Sequence, residues 1–105
     1  MGLTRSFKET VQERAMKDPA FRRGLLEEAI NEFLSGDLEV AKLLLRDYIN
    51  AGPSFEKISK LTKISDKSLQ RMLSDKGNPT TSNFCNVLHA IQEIEGVEIG
   101  VKIRH

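Results

Sequence analysis

The apolar residues of this chain recur every three or four positions through most of its length, which is the spacing of one helix face. Near the start, Ser6 and Glu9 form a capping box, and the pattern predicts a first helix over about residues 6–16. Asp18 followed by Pro19 marks the start of a second helix, because a carboxylate caps free N–H groups and proline suits the first helical turn.

The second helix is expected to end at Gly36, since glycine adopts the left-handed conformation of a helix C-terminus more easily than other residues do. A third helix begins after Asp37 and ends at Gly52 and Pro53. The apolar residues of this third helix share one face: Leu38, Ala41, Leu44, Leu45, Tyr48 and Ile49. The first half of the chain therefore predicts three helices.

Two much shorter helices are predicted next, at about residues 54–61 and 66–74, and Ser54 and Ser65 cap them. Their inward-facing residues are Phe55, Ile58 and Leu61 on the first helix and Leu69, Met72 and Leu73 on the second. Two short helices joined by a turn, here 62–65, form a helix-turn-helix. Ile58, Ile64 and Leu69 are expected to meet in one small core. Ordinary helical bundles also contain this spacing, so the pattern alone leaves both interpretations open.

The last part of the chain changes its period. Thr81 is expected to cap a helix that ends at Gly96, and Cys85 beside Phe84 is interpreted as a small core residue. The tail "VEIGVKI" then alternates apolar and other residues, which predicts a β-strand over 97–103. Its partner is either a second copy of the chain or the helices of its own copy.

The whole pattern predicts a mainly α fold in a single domain of 105 residues. We expect N-terminal helices at 1–52, a helix-turn-helix core at 53–95 and the short C-terminal β-strand at 96–105. The opening "MGLTRSFKET" lacks the apolar region of a signal peptide, and no apolar run approaches the roughly 20 residues that span a bilayer. A cytoplasmic protein without a membrane partner is the expectation.

Little in the sequence favours enzyme chemistry. The single cysteine and the two histidines, His89 and His105, are not arranged at the spacing of metal ligands or of a nucleophile and its base. We therefore expect no catalytic residue, no metal and no other cofactor.

Charge is distributed unevenly along the chain. The formal net charge is only +1, but residues 54–76 carry six basic and three acidic side chains, a net charge of +3. Residues 1–53 and 77–105 each have a net charge of −1. A local basic patch is typical of a phosphate-binding surface. A solvated lysine face is the alternative.

The second short helix carries side chains that can read DNA. Lys67, Arg71 and Ser74 lie opposite its apolar face, with Ser68 and Gln70 beside them. Arginine and lysine donate to guanine, glutamine pairs with adenine, and serine serves either base. Lys57 and Ser65 belong to the same predicted DNA-binding set. The backbone N–H groups at Ser54–Glu56 suit a phosphate, because they lie at a helix N-terminus.

The segment "FEKISKLTKISDKSLQRMLSDKGNPTTSNFCNVLHAI" resembles the Cro/repressor-type, lambda-repressor-like helix-turn-helix. Together with "DPAFRRGLLEEAINEFLSGD", it resembles the bacterial addiction-module antidote proteins over residues 17–96. The Gly77-Asn78-Pro79 loop and the Asp18-Pro19 start are the most distinctive pieces. The resemblance implies the antitoxin of a type II toxin–antitoxin operon, encoded beside a toxin of the RelE/ParE superfamily, that represses its own promoter.

The resemblance also implies site residues. The groove-facing positions match Lys67, Ser68, Gln70 and Arg71. The phosphate-facing positions match Ser54, Phe55 through its backbone, Ser74 and Asn78. Lys63 departs from the glycine that is usual in the turn, and a left-handed lysine there is strained by about 1–2 kcal/mol.

The expected partners are a double-stranded DNA operator and a second copy of the chain, since one recognition helix contacts only a few base pairs. Two other functions stay open. One is a transcriptional regulator without a toxin. The other is a protein-interaction module that neutralises a toxin with its N-terminal helices and does not bind DNA.

Overall fold

The computed structural model describes residues 7–105, with side chains from Thr10 onward, and this part of the chain contains six helices. They are α1 (Phe7–Lys17), α2 (Pro19–Leu34), α3 (Leu38–Ala51), α4 (Phe55–Thr62), α5 (Asp66–Met72) and α6 (Thr81–Glu95). The predicted capping box involves Ser6 and the side chain of Glu9, and both lie outside the described residues. The expectation of a mainly helical protein is confirmed.

The helices begin where the capping side chains predict, with one shift. The Asp18 carboxylate accepts from the backbone N–H groups of Ala20 and Phe21 at 3.1 and 3.2 Å. Asp37 likewise caps α3 through the N–H group of Val40. The cap of α6 is Thr80 and not Thr81, because the Thr80 hydroxyl is the one that accepts from the backbone of α6.

The apolar faces of α2 to α6 contribute to one cluster of buried residues. Helices α1, α2 and α3 contact one another, while α4 packs against α5 and α6. The most deeply buried large side chains are Leu45, Tyr48, Ile49, Ile58, Leu69, Leu73, Val87 and Ile91. Helix α3 thus supplies the residues around which the two groups of helices are assembled.

A polar contact joins three of these helices. The carboxylate oxygen Oε1 of Glu95 on α6 accepts from Arg22 Nε on α2 and from the Tyr48 hydroxyl on α3, each at 3.0 Å. Arg22 also donates to the carbonyl oxygen of Ala15 at 2.9 Å. Burial raises the pKa of Tyr48 well above its usual range, and the neighbouring Glu95 carboxylate adds to that shift.

The predicted C-terminal β-strand was wrong for the single chain: the described residues contain no strand, and 97–105 have no regular secondary structure. A strand is held by backbone hydrogen bonds to a neighbour, and no other part of the described chain is extended beside the tail. Val97 and Ile99 nevertheless lie half-buried, with Ile99 packed against the core cluster.

Two predicted core residues lie at the surface. Leu61 at the end of α4 is 49% exposed, and the Cys85 side chain on α6 is exposed as well. Leu61 lies in the last turn of α4, and Cys85 lies one position after the buried Phe84. Phe55, Ile58 and Phe84 are buried as expected. Within the described residues, no helix is both long enough and apolar enough to cross a lipid bilayer.

Candidate nucleic-acid interface

A tight turn sets the angle between α4 and α5. Lys63 ends α4 in the left-handed conformation, with φ 65° and ψ 15°, so the strain expected for a residue other than glycine is present here. The turn is held by side-chain hydrogen bonds: Ser59 Oγ donates to the Ile64 carbonyl at 2.6 Å, and Ile64 N–H donates to Thr62 Oγ1 at 3.2 Å. These bonds fix the turn even though glycine is absent from it.

The inner face of α5 is buried. Leu69 and Leu73 are each 1% exposed, and Ile58 of α4 belongs to the same cluster, with Ile64 of the turn packed against it. Ile58 and Leu69 thus belong to one core cluster, and Ile64 packs against that cluster. Helix α5 ends at Met72, two residues earlier than predicted, because Ser74 N–H and Ser74 Oγ both bond the Arg71 carbonyl and tighten the last turn.

The outer face of α5 presents two free cationic side chains. Lys67 and Arg71 are exposed and lie four residues apart, so they are neighbours on one side of the helix. Within the described residues, neither side chain makes a hydrogen bond or an ion pair. Both are therefore available to a partner outside this chain.

The other predicted members of the α5 face are already engaged. The side-chain amide of Gln70 donates a hydrogen bond to the Asp66 carboxylate at the helix start, which orients the glutamine. Ser65 Oγ accepts from the N–H group of Ser68 at 3.1 Å and donates to Ser68 Oγ at 2.9 Å. Ser74 uses its hydroxyl at the helix end. Any contact with DNA by these residues requires exchange or sharing of these bonds.

The start of α4 fits the prediction only in part. Ser54 N–H donates to the Ile49 carbonyl at 2.8 Å, so this group is not free for a phosphate as was expected. Its hydroxyl caps the helix by accepting from Lys57 N–H, and Ser54 has φ 75°, which is unusual for a residue with a side chain. Phe55 is buried, so only backbone groups of Phe55 and Glu56 in the first turn lack a partner within the helix.

The cationic side chains of residues 54–76 face the solvent and are not paired with carboxylates of the described chain. All six of its cationic side chains are exposed: Lys57, Lys60, Lys63, Lys67, Arg71 and Lys76. Within the described residues, none of the six forms an ion pair. By contrast, Arg22 and Lys42 each pair with a carboxylate. The local excess of positive charge therefore acts on the solvent side of α4 and α5.

Two cations on α3 hold the C-terminal end of α5. The Lys42 ammonium is only 3% exposed and donates to the carbonyls of Ser74, Asp75 and Gly77 at 2.9, 3.3 and 2.7 Å. Arg46 Nη1 donates to the Leu73 carbonyl at 3.0 Å. The Leu73 carbonyl lies at the negative end of the helix dipole, where a positive charge stabilises the structure, and the three acceptors of Lys42 lie in the loop that follows. We call this arrangement the α3 clamp.

The loop behind α5 passes very close to the helix. A Cβ atom added at Gly77 would lie 1.9 Å from the Arg71 carbonyl oxygen, so no other residue fits without a shift of the backbone. Asn78 is exposed, and no hydrogen bond of its side chain falls within the described structure. The loop therefore positions Asn78 beside the end of α5 that also carries Arg71.

Reasoning from the sequence missed the α3 clamp. Lys42 and Arg46 lie four residues apart, next to the apolar stripe that includes Ala41 and Leu45. A cation within an apolar stripe is a signal that it meets buried acceptors, because an unpaired buried charge is too costly. The role of Glu95, whose carboxylate accepts from Arg22 and Tyr48, was not expected from the sequence either.

The chain was compared with protein families, curated proteins and solved structures. No protein-family model, no curated protein and no solved structure matches this chain. The resemblance to the addiction-module antidote proteins therefore rests on the sequence motifs alone. Within the described residues, no three side chains of the His, Cys, Asp and Glu types come together as a metal site.

Proposed function

We propose that this chain is a sequence-specific DNA-binding protein that represses transcription, with α5 lying in the major groove. The observation that carries the proposal is the outer face of α5, where Lys67 and Arg71 are exposed, adjacent and without a partner in the described chain. Arginine can donate two hydrogen bonds to the O6 and N7 atoms of guanine, and lysine can reach the same atoms.

Two further features support this proposal. The exposed cations of 54–76 lie on α4, on α5 and in the turn and loop that flank α5, and they suit the phosphates beside a groove. The α3 clamp fixes the end of α5 to the rest of the protein, and a rigid support favours selective base contacts over general attraction. Because one short helix contacts only a few base pairs, the operator in this proposal has two half-sites, about 34 Å apart, and binds a homodimer.

The proposed cellular role is that of an antitoxin in a type II toxin–antitoxin operon, located in the cytoplasm and repressing its own promoter. This part of the proposal is supported by the sequence resemblance over 17–96. A toxin of the RelE/ParE superfamily is the proposed protein partner. A regulator that has lost its toxin would have the same DNA-binding surface, so only the neighbouring gene distinguishes the two.

A module that neutralises a toxin without binding DNA is the second candidate. The observation that favours it is the set of exposed apolar side chains on the first three helices: Met16, Phe33, Leu34, Val40 and Leu43. Such side chains are common at protein interfaces. Co-expression with the product of the neighbouring gene tests this role, and a complex that forms while the chain binds no DNA would favour it over repression.

The test of DNA binding uses the segment upstream of the chain's own gene, and sequences selected from a random DNA pool. Fluorescence anisotropy compares the wild-type protein with Arg71→Ala and Arg71→Lys. If Arg71 contacts a base, Arg71→Ala should weaken operator binding by about 1–3 kcal/mol and reduce the preference over scrambled DNA. Arg71→Lys should also lose preference, because it keeps the charge but not the two-pronged donor geometry.

Lys17→Ala is the matched control, since Lys17 is an exposed cation on α1, away from the proposed interface. It should leave affinity and preference unchanged. A protein that binds scrambled DNA as tightly as any selected sequence would refute sequence-specific binding. An Arg71→Ala variant with unchanged affinity and unchanged salt dependence would remove α5 from the interface.

A further inference from the structure

Only two of the four apolar residues in the tail after α6, Val97 and Ile99, are partly buried within the single chain. Val97 N–H donates to the Gln92 carbonyl at 3.2 Å, and Ile99 N–H donates to Gln92 Oε1 at 2.9 Å, so the tail is anchored as far as Ile99. Beyond this point, Val101 and Ile103 are 73% and 92% exposed. Val101 and Ile103 therefore continue the same apolar alternation but are not covered by the rest of the chain.

An open groove lies beside this tail. It has a volume of about 1110 Å³ and runs between the outer face of α2 and residues 97–104. Helix α2 contributes a mixed lining, in which the large apolar side chains Leu26, Ile30 and Leu34 alternate with charged and polar ones such as Arg23, Glu27 and Asn31. Leu34 is 61% exposed, so an apolar side chain lies uncovered at that end of the groove.

The sequence of the tail is self-complementary about Gly100. In "VEIGVKI", an acidic residue stands two positions before the glycine and a basic residue two positions after it, and the four remaining residues are apolar. If two copies lie antiparallel with their Gly100 residues opposite each other, Glu98 of each copy faces the partner's Lys102. Val97 then faces the partner's Ile103, and Ile99 faces the partner's Val101.

We propose that the tail pairs with the tail of a second copy of this chain, as a two-stranded antiparallel ribbon with Gly100 at the two-fold axis. Both apolar faces of the ribbon lie on the same side, toward the helices. Val101 and Ile103 of each copy then extend over the groove beside α2 of its partner. The strand that the single chain lacks is formed only between copies.

Charge selects this arrangement over the alternative. Parallel pairing in the same register would place Glu98 beside Glu98 and Lys102 beside Lys102, and like charges directly opposite each other destabilise a pair of strands. Antiparallel pairing about Gly100 instead gives two opposite-charge pairs per dimer. The two-fold axis makes the contact closed, so that pairing stops at two copies.

The glycine fits the same arrangement. In the single chain, a Cβ atom added at Gly100 would meet no atom within 4 Å, and the residue does not have a positive φ. The fold of one copy thus gives no reason for glycine at this position. Glycine in a strand often marks the close approach of another backbone, which is compatible with its place at the centre of the ribbon.

This inference goes beyond DNA binding and does not depend on it, because the test contains no DNA. The full chain and its variants are studied by sedimentation equilibrium over a range of concentrations. The wild-type protein should be a dimer. Glu98→Lys and Lys102→Glu should each weaken dimerisation by about tenfold or more, since each creates two like-charge pairs. The double variant, with both charges reversed, should restore the wild-type affinity to within about threefold.

A second variant tests the apolar face. Ile103 is 92% exposed in the single chain, so Ile103→Asp has little to disturb there and should still abolish the dimer. Circular dichroism spectra should show that every variant has the helical content of the wild-type protein. A wild-type protein that stays monomeric overturns the proposal. So does a dimer that the single reversals leave intact, or a double reversal that fails to restore it.

Discussion

Tyr48 is the only tyrosine of the chain, which also has no tryptophan, so its titration can be followed directly by ultraviolet absorbance. Its hydroxyl donates to Glu95 inside the contact that joins α2, α3 and α6. Burial and the Glu95 carboxylate both disfavour the tyrosinate, which raises the pKa of Tyr48. The neutral hydroxyl is therefore part of the folded structure.

The consequence for stability has a definite sign. In the unfolded chain Tyr48 loses its proton near its ordinary pKa of 10.0, whereas in the folded chain it keeps the proton to higher pH. The unfolded state is thus favoured increasingly above pH 10, by about 1.4 kcal/mol for each further pH unit. Below that pH the contribution of Tyr48 is fully present and does not vary.

Tyr48→Phe provides the comparison. The variant should be less stable at neutral pH by about 1 kcal/mol, because Glu95 loses a hydrogen bond. Its free energy of unfolding, measured by urea titration, should then fall less steeply above pH 10 than that of the wild-type protein. In the wild-type protein, tyrosinate absorbance should appear together with unfolding. Tyrosinate that forms at its ordinary pKa in a protein that stays folded would contradict the described contact.

At the scale of single elements, the sequence was sufficient wherever a local signal decides the structure. Asp18, Asp37 and Ser65 cap their helices as predicted, because a capping side chain acts within four residues of itself. The helical spacing of Leu69, Met72 and Leu73 also predicted the buried face of α5 correctly, since all three are buried.

The failures share a different cause, which is dependence on residues distant in the chain. The alternation of 97–103 is that of a strand, but a strand also needs a neighbour, and spacing does not supply one. Lys42 was overlooked because its three acceptors lie more than 30 residues away, in the loop after α5. For the candidate site, spacing identified Lys67 and Arg71. The bond from Gln70 to Asp66 is the exception to this cause, because the two residues are only four positions apart on one helix.

The α3 clamp makes the position of α5 depend on α3. Lys42→Met keeps most of the apolar stem but removes the ammonium donor from the carbonyls of Ser74, Asp75 and Gly77. We expect the protein to lose about 2–3 kcal/mol of stability, since the removed hydrogen bonds are made by a charged, buried group. Amide hydrogen exchange should show the loss of protection chiefly in α5 and the following loop.

Lys17→Met, which changes an exposed lysine on α1, is the control and should leave both stability and exchange nearly unchanged. The pattern of exchange distinguishes two roles for Lys42. Protection lost equally in all six helices would show that Lys42 stabilises the core in general and does not specifically position α5.

For the whole molecule, a net charge of +1 gives little long-range attraction to DNA, so the proposed DNA binding depends on the local charge of 54–76. Each phosphate neutralised by a cation releases counterions, which makes the logarithm of the binding constant fall linearly with the logarithm of the salt concentration. The six exposed cations of this segment set an upper limit on the slope if residues 54–76 alone contact the phosphates.

That limit is a slope of about −5 for each bound copy. The measured slope should be less steep, since the six side chains do not all face one duplex. Lys57→Ala should reduce the slope by about 1 for each copy and weaken binding to operator and scrambled DNA equally, as expected for a phosphate contact. Lys17→Ala should leave it unchanged. Anisotropy titrations over a range of salt concentrations measure these slopes. A slope near zero would exclude a phosphate-binding surface at 54–76, and a slope steeper than the limit would require cations outside that segment to contact the DNA.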